Sequence, residues 1–134
     1  MFARIQEARE KEEGFTLIEL LVVIIIIGIL AAIAIPVFLN QRASAAKSSL
    51  TSDARNGAVA IETYFTENQS YPADQATVEG LDIALSANNG VQDYQPAATS
   101  FTYCVQATGG AADGWSVTYD SALGGTQEPV QGGC

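Results

Sequence analysis

Glu19 is the residue whose type and position most clearly indicate a functional role, because this acid lies at the start of a long apolar run. After it the sequence stays uncharged until Arg42. A carboxylate placed in hydrocarbon costs on the order of 2.5–3.5 kcal/mol. Glu19 therefore needs a partner, and the positive charge of a new chain start would supply one. Cleavage after Gly14 would create that start at Phe15.

The two cysteines, Cys104 and Cys134, form the second candidate pair. Both follow the apolar run, and in an oxidising compartment they could form a disulfide. The bridge would close a loop of about 30 residues and stabilise the fold by roughly 3–4 kcal/mol through the unfolded state. Two free thiols are the alternative. A metal pair is disfavoured because the sequence has no His to accompany them.

The composition argues against an enzyme and against a broad nucleic-acid surface. The sequence has no His, no G-x-S-x-G motif and no phosphate-binding glycine loop, and we predict no cofactor. Beyond residue 14, three basic and eleven acidic residues leave a net charge of −8, whereas a nucleic-acid surface needs clustered Lys and Arg. Asp74, Glu79, Asp82 and Asp113 could bind Ca²⁺ if they converged, but solvated carboxylates are the simpler interpretation.

Periodicity predicts one long helix, from Phe15 to about Glu67, in two chemically different halves. The first half is apolar all round, which suits lipid or the core of a filament. The second half is amphipathic, which suits packing against a sheet. Gly28 and Pro36 interrupt the apolar half, and Pro36 removes a backbone donor, so we expect a kink there. The apolar stripe of the second half comprises Ala43, Ala46, Leu50, Ala54, Gly57, Ala58, Ile61, Tyr64 and Phe65.

Beyond the helix, β-branched and aromatic residues predict a small antiparallel sheet. Residues 101–105 and 115–119 are typical of strands joined by a glycine-rich hairpin loop, and 91–94 is a plausible third strand. Residues 73–98 are otherwise expected to be irregular, with Val78, Leu81, Ile83 and Leu85 anchoring them to the helix. The tail from residue 124 is expected to be a loop. The predicted fold class is α+β, with the long helix packed on the sheet.

The segment Gly14-Phe15-Thr16-Leu17-Ile18-Glu19, followed by the apolar helix, resembles the class III signal of type IV pilins and pseudopilins. The resemblance is close from residue 13 to about 41. It implies that a prepilin peptidase cuts between Gly14 and Phe15, and that the Phe15 amine is N-methylated. Glu19 would then pair with the Phe15 amine of a neighbouring subunit. The resemblance also favours the Cys104–Cys134 bridge and a proline kink.

The same resemblance implies an organisation and a set of partners. Residues 1–14 would be a cytoplasmic leader, 15–39 a transmembrane and filament-core helix, and 40–134 an extracytoplasmic globular domain. The partners would be other copies in a homo-oligomeric filament, the peptidase/methyltransferase, an inner-membrane assembly platform with its ATPase, and lipid before assembly. The subunit would pass from the cytoplasmic membrane to a cell-surface pilus. A pseudopilin of a secretion or DNA-uptake system is the nearest alternative.

Two readings of the apolar run do not require assembly. It could be a secretory signal peptide, with Ala32-Ile33-Ala34 resembling a cleavage site, although Glu19 at its head argues against this. It could also be a plain single-span anchor, which leaves Glu19 unexplained. In either case the globular part would be a secreted or tethered binding module. The sequon Asn68-Gln69-Ser70 is a weak glycosylation signal on its own.

Overall fold

A computed structural model describes residues 14–134, so residues 1–13 of the predicted leader lie outside the described residues. The first element of the described residues is helix α1, which runs Leu17–Asn68. Gln69 follows in the left-handed conformation (φ 58°), and its N–H donates to the Phe65 carbonyl at 2.8 Å. A left-handed residue directly after the last turn is a common way to end a helix. The predicted long helix is confirmed.

The chain divides after Phe38 into two compact units. Among the described residues of the first unit, the large apolar side chains are all exposed, from Leu21 at 41% to Phe15 at 92%. Among residues 14–134, α1 is the one helix long and apolar enough to cross a membrane. The predicted limits of the leader, the transmembrane segment and the globular domain remain predictions.

The second unit, Leu39–Cys134, contains an antiparallel sheet. Strands β1 (Asn89–Pro96), β2 (Phe101–Ala107) and β3 (Trp115–Asp120) pair in that order, and a 3₁₀ turn at Gly110–Ala112 lies between β2 and β3. The outer edge of β3 pairs with two short strands, β4 (Gly125–Thr126) and β5 (Val130–Gln131). The predicted α+β fold is therefore confirmed.

The core of this unit lies between the amphipathic part of α1 and the sheet. Small residues of α1 let the sheet approach, and large side chains of β2 fill the space between them. The anchoring role predicted for Val78, Leu81, Ile83 and Leu85 is confirmed, since Val78 is buried and the other three pack against the core. The fully buried larger side chains are Leu50, Ile61, Val78, Phe101, Tyr103, Val105 and Val117.

Two segments expected to be irregular carry short elements. Helix α2 (Gln75–Glu79) begins after Asp74, whose carboxylate accepts hydrogen bonds from the Thr77 amide at 2.8 Å and hydroxyl at 2.7 Å. This is an ordinary N-cap, and it lowers the pKa of Asp74 through those hydrogen bonds. In the tail, β4 and β5 form because the edge of β3 offers unpaired backbone groups, which no local pattern in the tail reveals.

Candidate functional site

The start of α1 forms a reciprocal cap between Thr16 and Glu19. The Thr16 amide and the Thr16 hydroxyl both donate to Glu19 Oε2 at 2.8 Å. In return, the Glu19 amide donates to Thr16 Oγ1 at 3.3 Å. Thr16 is the residue before the first helical position and Glu19 is the third helical residue, which is the arrangement of a capping box. The acid also lies in the first turn, where the helix dipole favours negative charge.

This cap gives Glu19 a partner within its own chain, which the sequence reasoning missed. The prediction placed the pairing of Glu19 with an amine of another subunit and assigned no role to Thr16. The signal was available, because Thr16-Leu17-Ile18-Glu19 has the T-x-x-E spacing of a capping box before an apolar run. The structure therefore adds Thr16 to the candidate site as the residue that positions the Glu19 carboxylate.

The predicted cleavage residues lie next to this cap and are open to a partner. The Phe15 side chain is 92% exposed, and a Cβ built on Gly14 would meet no atom within 4 Å. Phe15 and Glu19 line one shallow apolar hollow of about 430 Å³ together with Ile18, Val22 and Val23. Within the chain, however, the Glu19 carboxylate contacts Thr16. Cleavage after Gly14 and methylation of Phe15 remain predictions.

The two residues predicted to bend the helix lie inside the continuous span of α1. Pro36 is within the helix, where it supplies no N–H to the preceding turn. A Cβ at Gly28 would meet no atom within 4 Å, so the structure gives no packing reason for glycine there. The kink at either residue remains a prediction.

The predicted disulfide between Cys104 and Cys134 is present, with Cα atoms 6.1 Å apart. Cys104 is buried in β2, while Cys134 is exposed at the end of the tail. The tail also bonds to β3, because the Gln127 amide donates to the Thr118 carbonyl at 2.8 Å. The bridge thus fastens the segment that covers the outer edge of the sheet.

A buried acid in the second half of α1 was also not predicted from the sequence. Asp53 is 3% exposed and accepts hydrogen bonds from the Ser86 amide at 2.8 Å and the Ser86 hydroxyl at 3.0 Å. The Asn89 side-chain amide donates to it at 2.7 Å. Asp53 therefore fastens the segment before β1 to the helix. Aspartate is seldom buried, and nothing in the local sequence distinguishes Asp53 from a solvated acid.

The acids considered for calcium do not assemble into a site in the part of the chain that the structure describes. No group of three or more His, Cys, Asp or Glu there is placed to hold a metal ion. Asp74 instead caps α2, and Glu79 accepts a hydrogen bond from the Gln75 side chain at 2.7 Å.

A family of known proteins matches the segment of the sequence that contains the start of α1. The family described as the prokaryotic N-terminal methylation motif matches residues 9–35. The type IV wide pilus major component PilA4 of Thermus thermophilus is 38% identical over 93 residues, covering 69% of this chain and 70% of that protein.

Relatives from a second kind of machine are also similar. The type II secretion system core protein G of Pseudomonas aeruginosa is 29% identical over 129 residues, covering 88% of this chain and 91% of that protein. The protein of the same name from Escherichia coli is 35% identical over 92 residues, covering 65% of this chain and 63% of that protein. The similarity to the Pseudomonas aeruginosa protein thus extends into the globular unit.

Proposed function

Because the chain belongs to the type IV pilin and pseudopilin family, we propose that it is a structural subunit of a type IV pilus-like filament. The observation that carries the proposal is the Thr16–Glu19 cap at the head of an exposed apolar helix. A plain anchor could cap this helix with an uncharged residue and avoid the cost of placing an acid at the start of an apolar run. A subunit that binds the amino terminus of a second helix needs the negative charge.

The proposed mechanism begins with the precursor in the cytoplasmic membrane, its leader on the cytoplasmic side. A prepilin peptidase cuts after Gly14, and the new Phe15 amine receives a methyl group. The Thr16 hydroxyl and amide supply hydrogen bonds to the Glu19 carboxylate while the subunit waits in lipid. This lowers the cost of keeping an acid at the edge of hydrocarbon.

During assembly, the partner of the Glu19 carboxylate changes from Thr16 of the same chain to the Phe15 amine of a neighbouring subunit. When a subunit joins the filament, the Glu19 carboxylate pairs with the Phe15 amine of a neighbour, and the apolar faces of the helices bundle away from lipid. A charge pair in a medium of low polarity attracts more strongly than in water. This pairing sets the axial stagger between subunits. The globular units cover the outside, and an assembly platform with its ATPase supplies the work.

The first test is intact mass and N-terminal fragment analysis of the chain from its native membrane. A mature chain that starts at methylated Phe15 is the expected result. A start at Met1 would leave a plain anchor, and a start just after Ala34 would leave a secreted domain; either contradicts the proposal.

The second test replaces the acid. Glu19→Ala should leave cleavage intact, because the scissile bond is unchanged, but should abolish filaments recovered by shearing. Glu128→Ala is the matched control, since it removes an exposed acid of the tail and should assemble normally. Normal filaments from Glu19→Ala would refute the charge-pair mechanism.

A pseudopilin of a type II secretion system is the second candidate. It is favoured by the match to 91% of the length of the Pseudomonas aeruginosa core protein G. Deleting the gene in the source organism separates the two. Loss of surface pili with normal protein secretion identifies a pilin, and the reverse result identifies a pseudopilin.

A further inference from the structure

The basic residues of the chain all lie at or before Arg55, and every charged residue after it is acidic. From residue 56 to the C-terminus the sequence has nine acidic residues and no Lys or Arg. Arg55 is therefore the last cation, and it lies in a unit that is otherwise strongly acidic. Copies of such a unit repel one another, so close packing requires the few cations to meet acids of a neighbour.

Arg55 lies at an open groove between α1 and the outer strands. The groove has a volume of 660 Å³, and its lining includes Arg55, Val59 and Glu62 of α1 with Tyr119, Gly125 and Thr126 of the sheet side. We call it the Arg55 groove. Val59 is 66% exposed there, so the groove offers an apolar contact beside a positive charge.

Within the described residues, no ion pair joins Arg55 and Glu62, the two charged side chains that line the Arg55 groove. Arg55 Nε donates to the hydroxyl of Thr126 at 3.4 Å, an uncharged partner. Glu62 accepts from the Tyr71 hydroxyl at 3.2 Å. Burial, and then the nearby Glu62, raise the pKa of Tyr71, so this hydroxyl remains a donor at neutral pH. The Arg55 guanidinium keeps donors for a carboxylate from outside.

A complementary surface lies at the end of α2. The Leu81 amide donates to the Val78 carbonyl at 3.0 Å, and the Ile83 amide donates to the Leu81 carbonyl at 2.8 Å, which turns the chain around Asp82. Glu79, Gly80 and Asp82 are exposed at this turn. We call residues 79–82 the acidic corner.

The two surfaces lie on either side of the exposed residue Thr63 of α1. The Arg55 groove is bounded by β3 and the β4 segment. A second hollow, of 290 Å³, includes Asp82 and Leu81 with Tyr64 and Glu67 of α1. Thr63 lines both hollows, so the exposed face of α1 separates them. One copy therefore presents the groove and the corner in different directions.

We propose that the Arg55 groove binds the acidic corner of a second copy of this chain. This contact rests on the proposed function, since it would form between the globular units of neighbouring subunits in a filament. Opposite charges favour the pairing over like-charge contacts. Because different surfaces meet, the contact is heterologous and repeats without closing, as a filament requires.

Charge exchange in the full-length chain tests this contact. The variants are Arg55→Asp, Asp82→Arg and the double variant that interchanges the two side chains. Asp113→Arg is the matched control, because it reverses an exposed acid in the turn before β3. Sheared filaments are quantified for each variant, with subunit accumulation and N-terminal processing measured in the same cells.

Each single exchange should lower the filament yield by about tenfold or more, because it places like charges at the contact. The double variant should recover most of the yield, and the control should match the wild type. Wild-type yield from Arg55→Asp, or no recovery in the double variant, would overturn the contact while leaving the proposed function intact. No filaments from the wild-type chain would overturn the proposed function and the contact with it.

A second measurement detects the contact directly. Val59→Cys and Asp82→Cys subunits are co-expressed and treated with a short thiol-specific cross-linker. Cross-linked dimers containing one of each are expected, since they can form only between copies. Val59→Cys with Asp113→Cys should give none. Equal cross-linking in both pairs would also overturn the contact.

Discussion

The ring of Tyr103 occupies the space that a side chain at residue 57 would need. Gly57 is buried in α1, and a Cβ built there would overlap the Cε1, Cζ and hydroxyl atoms of the Tyr103 ring. Tyr103 is fully buried in β2. The glycine therefore allows β2 to contact α1 closely at the centre of the core.

Gly57→Ala should destabilise the globular unit by about 1–3 kcal/mol, because the added methyl group forces the ring to move. The loss outweighs the gain of about 1 kcal/mol in helix propensity. Urea unfolding of the full chain in detergent, followed by the fluorescence of Trp115, measures it. Gly90→Ala is the control, since a Cβ at Gly90 would meet open space. Equal stability of the two variants would contradict the packing relationship.

The hydroxyl of Tyr103 should make stability fall at alkaline pH. It is buried with no hydrogen-bond partner among residues 14–134, and burial, with Asp53 adding, raises its pKa to about 12 from 10.0. The raised pKa favours the neutral form in the folded state. The stabilisation that the neutral Tyr103 hydroxyl contributes is therefore complete below pH 10. The free energy of unfolding then falls by about 2–3 kcal/mol as the pH rises towards 12.

Tyr103→Phe should weaken this alkaline loss and leave stability at pH 7 equal or higher, since no hydrogen bond is removed. Some loss should persist, because burial also raises the pKa of Tyr94 to about 12. Unfolding free energies at pH 7 and pH 11 measure the effect. An unchanged difference between the two pH values would contradict the assignment to Tyr103.

Most of the architecture could be predicted because it depends on strong periodic signals. The change from all-round apolar to amphipathic composition places the two halves of α1, and β-branched residues place β2 and β3. Asp53 could not be predicted, since its burial depends on donors from Ser86 and Asn89, more than thirty residues away in sequence. Thr16 could have been identified from its spacing to Glu19.

Asp53→Ala should destabilise the globular unit by about 2–4 kcal/mol, because it leaves the donors of Ser86 and Asn89 without their acceptor. The same unfolding experiment measures the loss. Asp93→Ala is the control; its hydrogen bond joins Gln95 on the same strand, so its loss should be within about 0.5 kcal/mol. A small effect of Asp53→Ala would show that water replaces the carboxylate at little cost.

Thr16→Ala should loosen the first turn of α1 by about 1 kcal/mol, because it removes the hydroxyl that both donates to and accepts from Glu19. Amide hydrogen exchange of Glu19 and Leu20 in detergent micelles should accelerate about fivefold. Thr16→Ser keeps the hydroxyl and should exchange like the wild type. If the alanine and serine variants exchange alike, the hydroxyl does not hold the cap.

Removing the Cys104–Cys134 bridge should detach the tail segment that pairs with the outer edge of β3 before the sheet itself unfolds. Replacing both cysteines by Ala should lower stability by about 3–4 kcal/mol. The Gly132 amide, which donates to the Gly114 carbonyl at 2.8 Å, should exchange at least about tenfold faster, since β5 is a two-residue strand. The Thr108 amide, bonded to the Asn88 carbonyl at 2.7 Å, should change less. Uniform acceleration of both amides would mean that the bridge stabilises the unit only as a whole.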